Sequence, residues 1–217
     1  MTVDCDAFSS ACRELVSDLP ENRVSDLLEF GRLVRNWNIH FNMVSRQDAH
    51  RIETYHILDS LAAASLVPGN ASACDIGSGA GFPGIPLAIA RPDVRVTLID
   101  SSQKKCRFLR ESVSTLGLRT VQVVNDRAES VPSLECDVVL SRLTTSVERF
   151  VRESHHHRAP RGFILLYKTP ESAVEIRHAS PLLAKYGLTS VRTTDIVLPI
   201  AGIVRRFVAL GIPAADS

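Results

Sequence analysis

The chain has 217 residues, of which 45% are hydrophobic and 23% charged, with a formal net charge of +1. That length supports one core of ordinary size with some residues left for an appended segment, and the composition excludes disordered and fibrous classes. No apolar run approaches the roughly 20 residues of a membrane helix, and the opening "MTVDCDAFSSACRELV" lacks the basic-then-apolar order of a secretory leader, so a cytoplasmic protein is expected.

The first 66 residues read as helical. In "VSDLLEFGRLVRNWNIHF" the positions Val24, Leu27, Leu28, Val34, Trp37 and Phe41 recur mostly at spacings of three and four, which gives one buried stripe, and Pro20 and Glu21 stand where such a helix starts. "IETYHILDSLAAASLV" predicts a second helix, ended by Pro68 and Gly69. Residues 1–60 hold ten acids and six bases, whereas residues 61–217 hold fourteen acids and nineteen bases, notably Arg91, Arg95, Lys104, Lys105, Arg107 and Arg110. This permits a modest basic face toward a phosphate-bearing partner.

From residue 71 the period changes. "ASACDI", "VRVTLI", "TVQVV", "CDVVL", "GFILLY", "LTSVRTTDIV" and "VRRFVAL" are short runs, most of them continuously apolar, as parallel strands covered on both faces must be. Between two of them, "SQKKCRFLRESVSTLG" has Ser102 as N-cap, Cys106, Leu109, Val113 and Leu116 on one face, and Gly117 just past its end. Strand-helix alternation predicts an α/β fold with a doubly wound, seven-stranded sheet over residues 69–217, behind an N-terminal helical segment over residues 1–68 that packs on it. The short "LPIAGI" connection predicts that the last two strands form an antiparallel hairpin. The five cysteines, Cys5, Cys12, Cys74, Cys106 and Cys136, have no paired spacing and are expected to be buried, reduced thiols. His155, His156 and His157 point in different directions from consecutive positions, so a solvated helix end is expected there and no metal.

"CDIGSGAGFPGIPLAIARPDVRVTLID" concentrates the chemistry. Gly77, Gly79, Gly81 and Gly84 follow the first strand and open a helix, so backbone N–H groups face whatever sits there, and Pro83 and Pro86 fall where a missing N–H costs little. Gly79-x-Gly81-x-x-Gly84 with Asp100 downstream matches the dinucleotide fingerprint. Asp75, inside the strand before the glycines, argues for another ligand: a buried carboxylate needs a cation or a donor. The ammonium and sulfonium of S-adenosyl-L-methionine are cationic, whereas a pyrophosphate would be repelled. Asp100 is placed to accept from ribose hydroxyls, or else to cap the helix that follows. Asp126, Arg127, Ala128 and Glu129 after the third strand form either a loop that clasps adenine or a plain turn.

The pieces "WNIHFNMVSRQDAHRIETYHILDSL", "DIGSGAGFPGIPLAIARPDVRVTLIDSSQKKCRFLRE", "DRAE" and "SR" at Ser141-Arg142, in that order, resemble the bacterial ribosomal RNA methyltransferase G family, also called glucose-inhibited division protein B. The resemblance covers about residues 25 to 145 and implies a class I S-adenosyl-L-methionine-dependent methyltransferase acting on the N7 of a guanine in small-subunit ribosomal RNA. It places cofactor contacts at Gly77, Phe82, Ala128, Glu129 and Arg142, beside Asp75, Gly79, Gly81 and Asp100 from the loop itself. It implies catalytic positions at Arg142 and Lys168 and puts His56 and Asp59 of "HILDSL" beside the substrate cleft with Arg142; His56 also reads as an ordinary helix residue bonded to its neighbours. Guanine N7 has a free lone pair, so no general base is required, and alignment of nucleophile, methyl and sulfur can carry the reaction.

The chain departs from the family at Leu143, Thr144 and Thr145, where alanine and small or aromatic residues are usual, and at Lys168-Thr169-Pro170, where lysine-glycine is usual. "LPIAGIVRRFVALG" also lacks the polar signature typical of that hairpin. These departures fall on the acceptor side, so a relative acting on a small heterocyclic metabolite stays open beside the RNA enzyme, as does a non-catalytic binding module.

Overall fold

The structure, a computed structural model, describes residues 4–142 and 145–211. Helix α1 (Cys5–Leu15) starts where the Asp4 carboxylate accepts from the N–H groups of Asp6 and Ala7, and it buries Phe8, Ala11 and Cys12. Helix α2 (Glu21–His40) begins after Pro20 and buries Val24, Leu27, Phe30 and Val34. It ends because the Asn38 side chain turns back to accept from the N–H groups of Met43 and Val44, and residues 41–51 run as bends and turns, a break in the helical reading of this segment. At Gly31 an added Cβ would stand 2.5 Å from the Glu53 carboxylate, so the absent side chain is what lets buried Glu53 approach α2 and pair with Arg35.

The predicted second helix is three different turns. Ile52–Ile57 is a wide π turn, in which the Leu58 N–H donates to Glu53 O five residues back; α3 (Leu58–Leu61) follows, then a 3-10 turn over Ala64–Leu66. Arg91 closes this region by donating to the carbonyls of Ala64, Val67 and Pro68.

The strands β1 (Ser72–Ile76), β2 (Arg95–Ile99), β3 (Val121–Val124), β4 (Cys136–Ser141), β5 (Arg158–Lys168), β6 (Val191–Val197) and β7 (Val204–Leu210) form one sheet in the order β3-β2-β1-β4-β5-β7-β6. The first five run parallel, and β7 enters antiparallel to β5 and β6, so the closing hairpin is as expected. Helices α4 (Gly84–Ala90), α5 (Gln103–Thr115), α6 (Val147–Ser154) and α7 (Ala173–Lys185) connect the strands. Ser102 caps α5 by accepting from the Lys105 N–H, and Gly117 takes the left-handed conformation beyond its end.

Successive strand residues feed opposite faces. Ala73, Leu98 and Val138 join Phe8, Leu27, Phe30, Ile85 and Phe108 in the core under α1, α2, α4 and α5, whereas Cys74, Ile99 and Val139 join Phe150, Val151 and Leu183 under α6 and α7. The first core therefore runs without interruption from the N-terminal helices into the sheet. Four of the cysteines are buried, and Cys5 is exposed because it sits on the outer turn at the start of α1.

The histidine run corrects the expectation of a solvated helix end. It forms a 3-10 turn (His155–His157) between α6 and β5, and His157 is fully buried. Nε2 of His156 donates to Val131 O and Nε2 of His157 to Ala128 O, while His155 stacks on Tyr186 with ring centroids 3.7 Å apart. The His156 and His157 rings lie 4.0 Å apart and both turn to backbone carbonyls, while His155 turns to the residue just past α7.

Candidate active site

All of the expected site elements lie at the carboxyl ends of the parallel strands, where a doubly wound sheet binds its ligands. Gly77, Gly79 and Gly81 after β1 have φ of 70°, 56° and 86°, a region that costs a side chain energy. The Gly77 and Ser78 N–H groups are held by Ile99 O, which ties the loop to β2. Asp100, at the end of β2, accepts from the Gly79 N–H at 2.9 Å and from the Ser102 N–H at 2.9 Å, with Lys105 Nζ 3.9 Å away. It thus does cap the next helix, and each oxygen keeps lone-pair capacity for a further donor. Gly77, Asp100, Ala128 and Glu129 meet around one cavity of about 250 Å³, roofed by Arg149 and Glu153 of α6.

Asp75 lies deeper. It is 1% exposed, its Oδ2 accepts from the Gly84 N–H at 3.0 Å, and its Oδ1 has no partner among the described residues. Burial pushes its pKa up to about 7 against the Gly84 bond, which pulls it down. At Gly84 any Cβ would run into Leu98 and the Asp75 carboxylate, so the close approach of this helix start to β1 and β2 relies on glycine. Of the two kinds of partner expected for Asp75, a cation or a donor, the fold supplies a backbone donor for one oxygen and leaves the other without a partner among the described residues.

Beside the loop stands a second cluster, made of side chains. Phe82 packs edge-on against Phe30 with centroids 5.3 Å apart and is stacked by His56 at 5.0 Å, with the Arg142 guanidinium 5.6 Å from its ring centre. Arg142, just past β4, donates through Nη2 to His56 Nδ1 at 3.0 Å and through Nη1 to His56 O and Ser60 Oγ. Its Nε lies 3.0 Å from Asp59 Oδ2, an ionic contact lacking the angle of a hydrogen bond, while Arg205 Nε donates to Asp59 Oδ1 at 2.5 Å. Asp59 is fully buried between these two arginines. Because Arg142 donates to Nδ1, the His56 proton sits on Nε2, which is buried without a hydrogen-bond partner and 3.9 Å from Asp48 Oδ2. Burial, then the Arg142 charge, bring His56 down to about 4, so its ring is neutral at pH 7.

Lys168 ends β5 and turns aside from that cluster: Nζ donates to both Glu175 oxygens, at 3.1 and 3.0 Å, and to Thr145 O. Its carbonyl accepts from Arg205 Nη1, so backbone, not ammonium, connects it to the arginine pair. Leu143 and Thr144 lie outside the described residues. Sequence reasoning missed Arg205, whose partner is 146 positions away, and Tyr167, whose hydroxyl donates to Ser60 O; an arginine just before the apolar stretch of "VRRFVAL" was the one available signal. It also missed Lys105, Arg149 and Glu153 around the cavity, since helix faces are fixed only by packing. Among the described residues no group of three or more His, Cys, Asp or Glu is placed to hold a metal, and no helix is long and apolar enough to cross a membrane.

The geometry agrees with comparisons to known proteins. Among solved structures, an S-adenosyl-L-methionine-dependent methyltransferase from Aquifex aeolicus matches over 76% of this chain and 94% of its own, with a TM-score of 0.54 and 18% identity. M. jannaschii TYW2, solved in complex with AdoMet, matches over 71% of this chain and 74% of its own with a TM-score of 0.58 and 19% identity. At such identities the likeness establishes the fold, a class I Rossmann-like methyltransferase. Sequence relatives are nearer: the ribosomal RNA small subunit methyltransferases G of Chromobacterium violaceum and Nitrosococcus oceani are each 39% identical, over 75% of this chain and 78% and 77% of theirs. The family model described as rRNA small subunit methyltransferase G matches residues 23–199, and the chain belongs to that family.

Proposed function

We propose that this enzyme transfers a methyl group from S-adenosyl-L-methionine to the N7 of a guanine in small-subunit ribosomal RNA, in the cytoplasm. The observation that carries the reading is the convergence of Gly77, Asp100, Ala128 and Glu129 on one cavity, with the Phe82, His56 and Arg142 cluster next to it. The residues fit the cofactor: the positive-φ loop opens backbone to it, Asp100 has lone pairs for ribose hydroxyls, and the unpartnered Asp75 Oδ1 suits a cationic amino acid moiety. Gly79, Gly81 and Phe82 complete that wall, and the helical segment over residues 1–68 contributes His56 and Asp59 to the acceptor side.

When bound, the cofactor supplies an electrophilic methyl on a positively charged sulfur. The protein's part is positioning. Phe82 and the neutral His56 ring, stacked on each other and mostly buried, brace the Arg142 fork, which Asp59 and His56 fix as a rigid cation of set direction. Guanine N7 attacks through an in-plane lone pair and has no proton to lose, so no residue need act as base. Positive charge moves from sulfur to the base, so net charge in the site is constant and orientation supplies most of the rate, on the order of 7 kcal/mol. A neutral His56 avoids adding a like charge beside the methylated, cationic base.

The test is methylation of small ribosomal subunits isolated from cells lacking this modification, with digestion to nucleosides. Formation of 7-methylguanosine is expected. Its absence, together with turnover of a heterocyclic metabolite, would replace RNA by a small acceptor.

A further inference from the structure

Away from the catalytic clusters, the C-terminal end of α2 and the outer flank of α5 enclose a groove of about 730 Å³ lined by Trp37, Phe41, Gln103, Lys104, Arg107 and Arg110. The lining combines two chemistries. Lys104, Arg107 and Arg110 fall at i, i+3 and i+6 on α5, one stripe about 9 Å long at helical rise. All three are exposed, and none has an acidic partner among the described residues. The aromatic wall is Trp37 and Phe41, ring centroids 5.3 Å apart, and Lys104 Nζ sits 4.4 Å above the Phe41 ring. The one nearby acid, Glu111, is occupied by the Trp37 indole N–H, which it accepts at 2.9 Å.

Arg91 and Arg95 do not share this character. Arg91 is consumed by three carbonyls and Asp93, and Arg95 lies at the start of β2, the opposite edge of the sheet from the glycine loop. The first turn of α5, which carries the stripe, also holds Lys105 against Asp100 in the cofactor cavity. The flank is continuous with the active site through that helix.

Unpaired cations in a row beside half-buried aromatic rings that line the same groove match a single strand of nucleic acid, where phosphates take the cations and bases take the rings. A protein partner would need acidic side chains for the stripe and would gain nothing particular from paired flat rings. We infer that the α2–α5 groove is a docking track for single-stranded RNA adjoining the methylated nucleotide, held by Lys104, Arg107 and Arg110 through phosphates and by Phe41 and Trp37 through base stacking. This rests on the RNA substrate proposed above.

Two variants of the full chain separate the two contributions: the triple variant K104E/R107E/R110E, and Phe41→Ala. Intact small subunits, protein-free small-subunit RNA and S-adenosyl-L-methionine are the probes, with KM, kcat and Kd measured across a salt series. For the triple variant, KM for subunits is expected to rise tenfold or more and Kd for S-adenosyl-L-methionine to stay unchanged. The slope of log affinity for protein-free RNA against log salt should fall by about 2, at roughly 0.7 per lost phosphate contact. Phe41→Ala should weaken RNA binding by about 5-fold or more with the salt slope intact. The inference is overturned if both variants bind protein-free RNA as the parent does, including the case where only binding to intact subunits is lost, which would assign the groove to a ribosomal protein. A parent enzyme that yields no 7-methylguanosine but shows these binding differences would sink the proposed reaction and leave the track standing.

Discussion

The two halves of the site are built in different ways. The proposed donor side, from Asp75 to Asp100, is largely backbone: glycines at positive φ, N–H groups held by Ile99 O, and carboxylates that accept from the N–H groups of Gly79, Gly84 and Ser102. The proposed acceptor side is a web of side chains from three remote segments, with Asp59 from α3, Arg142 after β4 and Arg205 on β7. Backbone architecture depends on local sequence and tolerates change elsewhere, whereas a side-chain web fails when one member is lost. The contrast teaches where the enzyme is fragile: at its acceptor side.

The comparison is most easily broken at Asp59. Asp59→Ala leaves Arg142 and Arg205, both mostly buried, without their shared counter-charge, and should cost about 3–5 kcal/mol in urea unfolding; a loss below 1 kcal/mol would refute the web. His56 supplies the next effect. Its folded-state pKa of about 4 lies below the ordinary 6.5, so its contribution is fully present above pH 6.5 and lost as pH falls through 4, in total about 3 kcal/mol. His56→Gln should show correspondingly less acid destabilisation over that range. On the donor side, Gly84→Ala forces a methyl into Leu98 and Asp75, with an expected loss of about 1–3 kcal/mol in thermal unfolding and weaker cofactor binding by calorimetry.

The smallest effect sharpens the role of Asp75. With its pKa raised to about 7, the carboxyl's contribution to stability is fully present at low pH and is lost as pH rises through 7. A cationic ligand favours the ionised form, so affinity for S-adenosyl-L-methionine should increase about tenfold between pH 6 and 8, and Asp75→Asn should flatten that profile. A pH-independent affinity in the parent would remove Asp75 from contact with the cofactor's charge.

The same contrast decides what could be read from the sequence. Glycine spacing, the Ser102 cap and the hairpin were legible because each follows from a few adjacent residues. The reach of Arg205 to Asp59 was not, since no local pattern reports a contact over 146 positions. His157 was misjudged for a related reason: only the fold brings Ala128 O within 3.0 Å of its ring, turning a polar side chain into a buried one. The break at residues 41–51 was hidden because Asn38, whose side-chain amide oxygen stops α2, looks in sequence like any helix-surface residue.

The wide turn over Ile52–Ile57 carries a consequence for variation in this family. An α-helix advances about 100° per residue, and a π turn holds one extra residue at nearly the same axial length. Deleting one residue there would restore ordinary winding and swing Glu53, bound to Arg35, out of phase with Asp59, bound to Arg205. Length in this short stretch is therefore as constrained as residue identity, and insertions or deletions should be accepted in the neighbouring turns before they are accepted here.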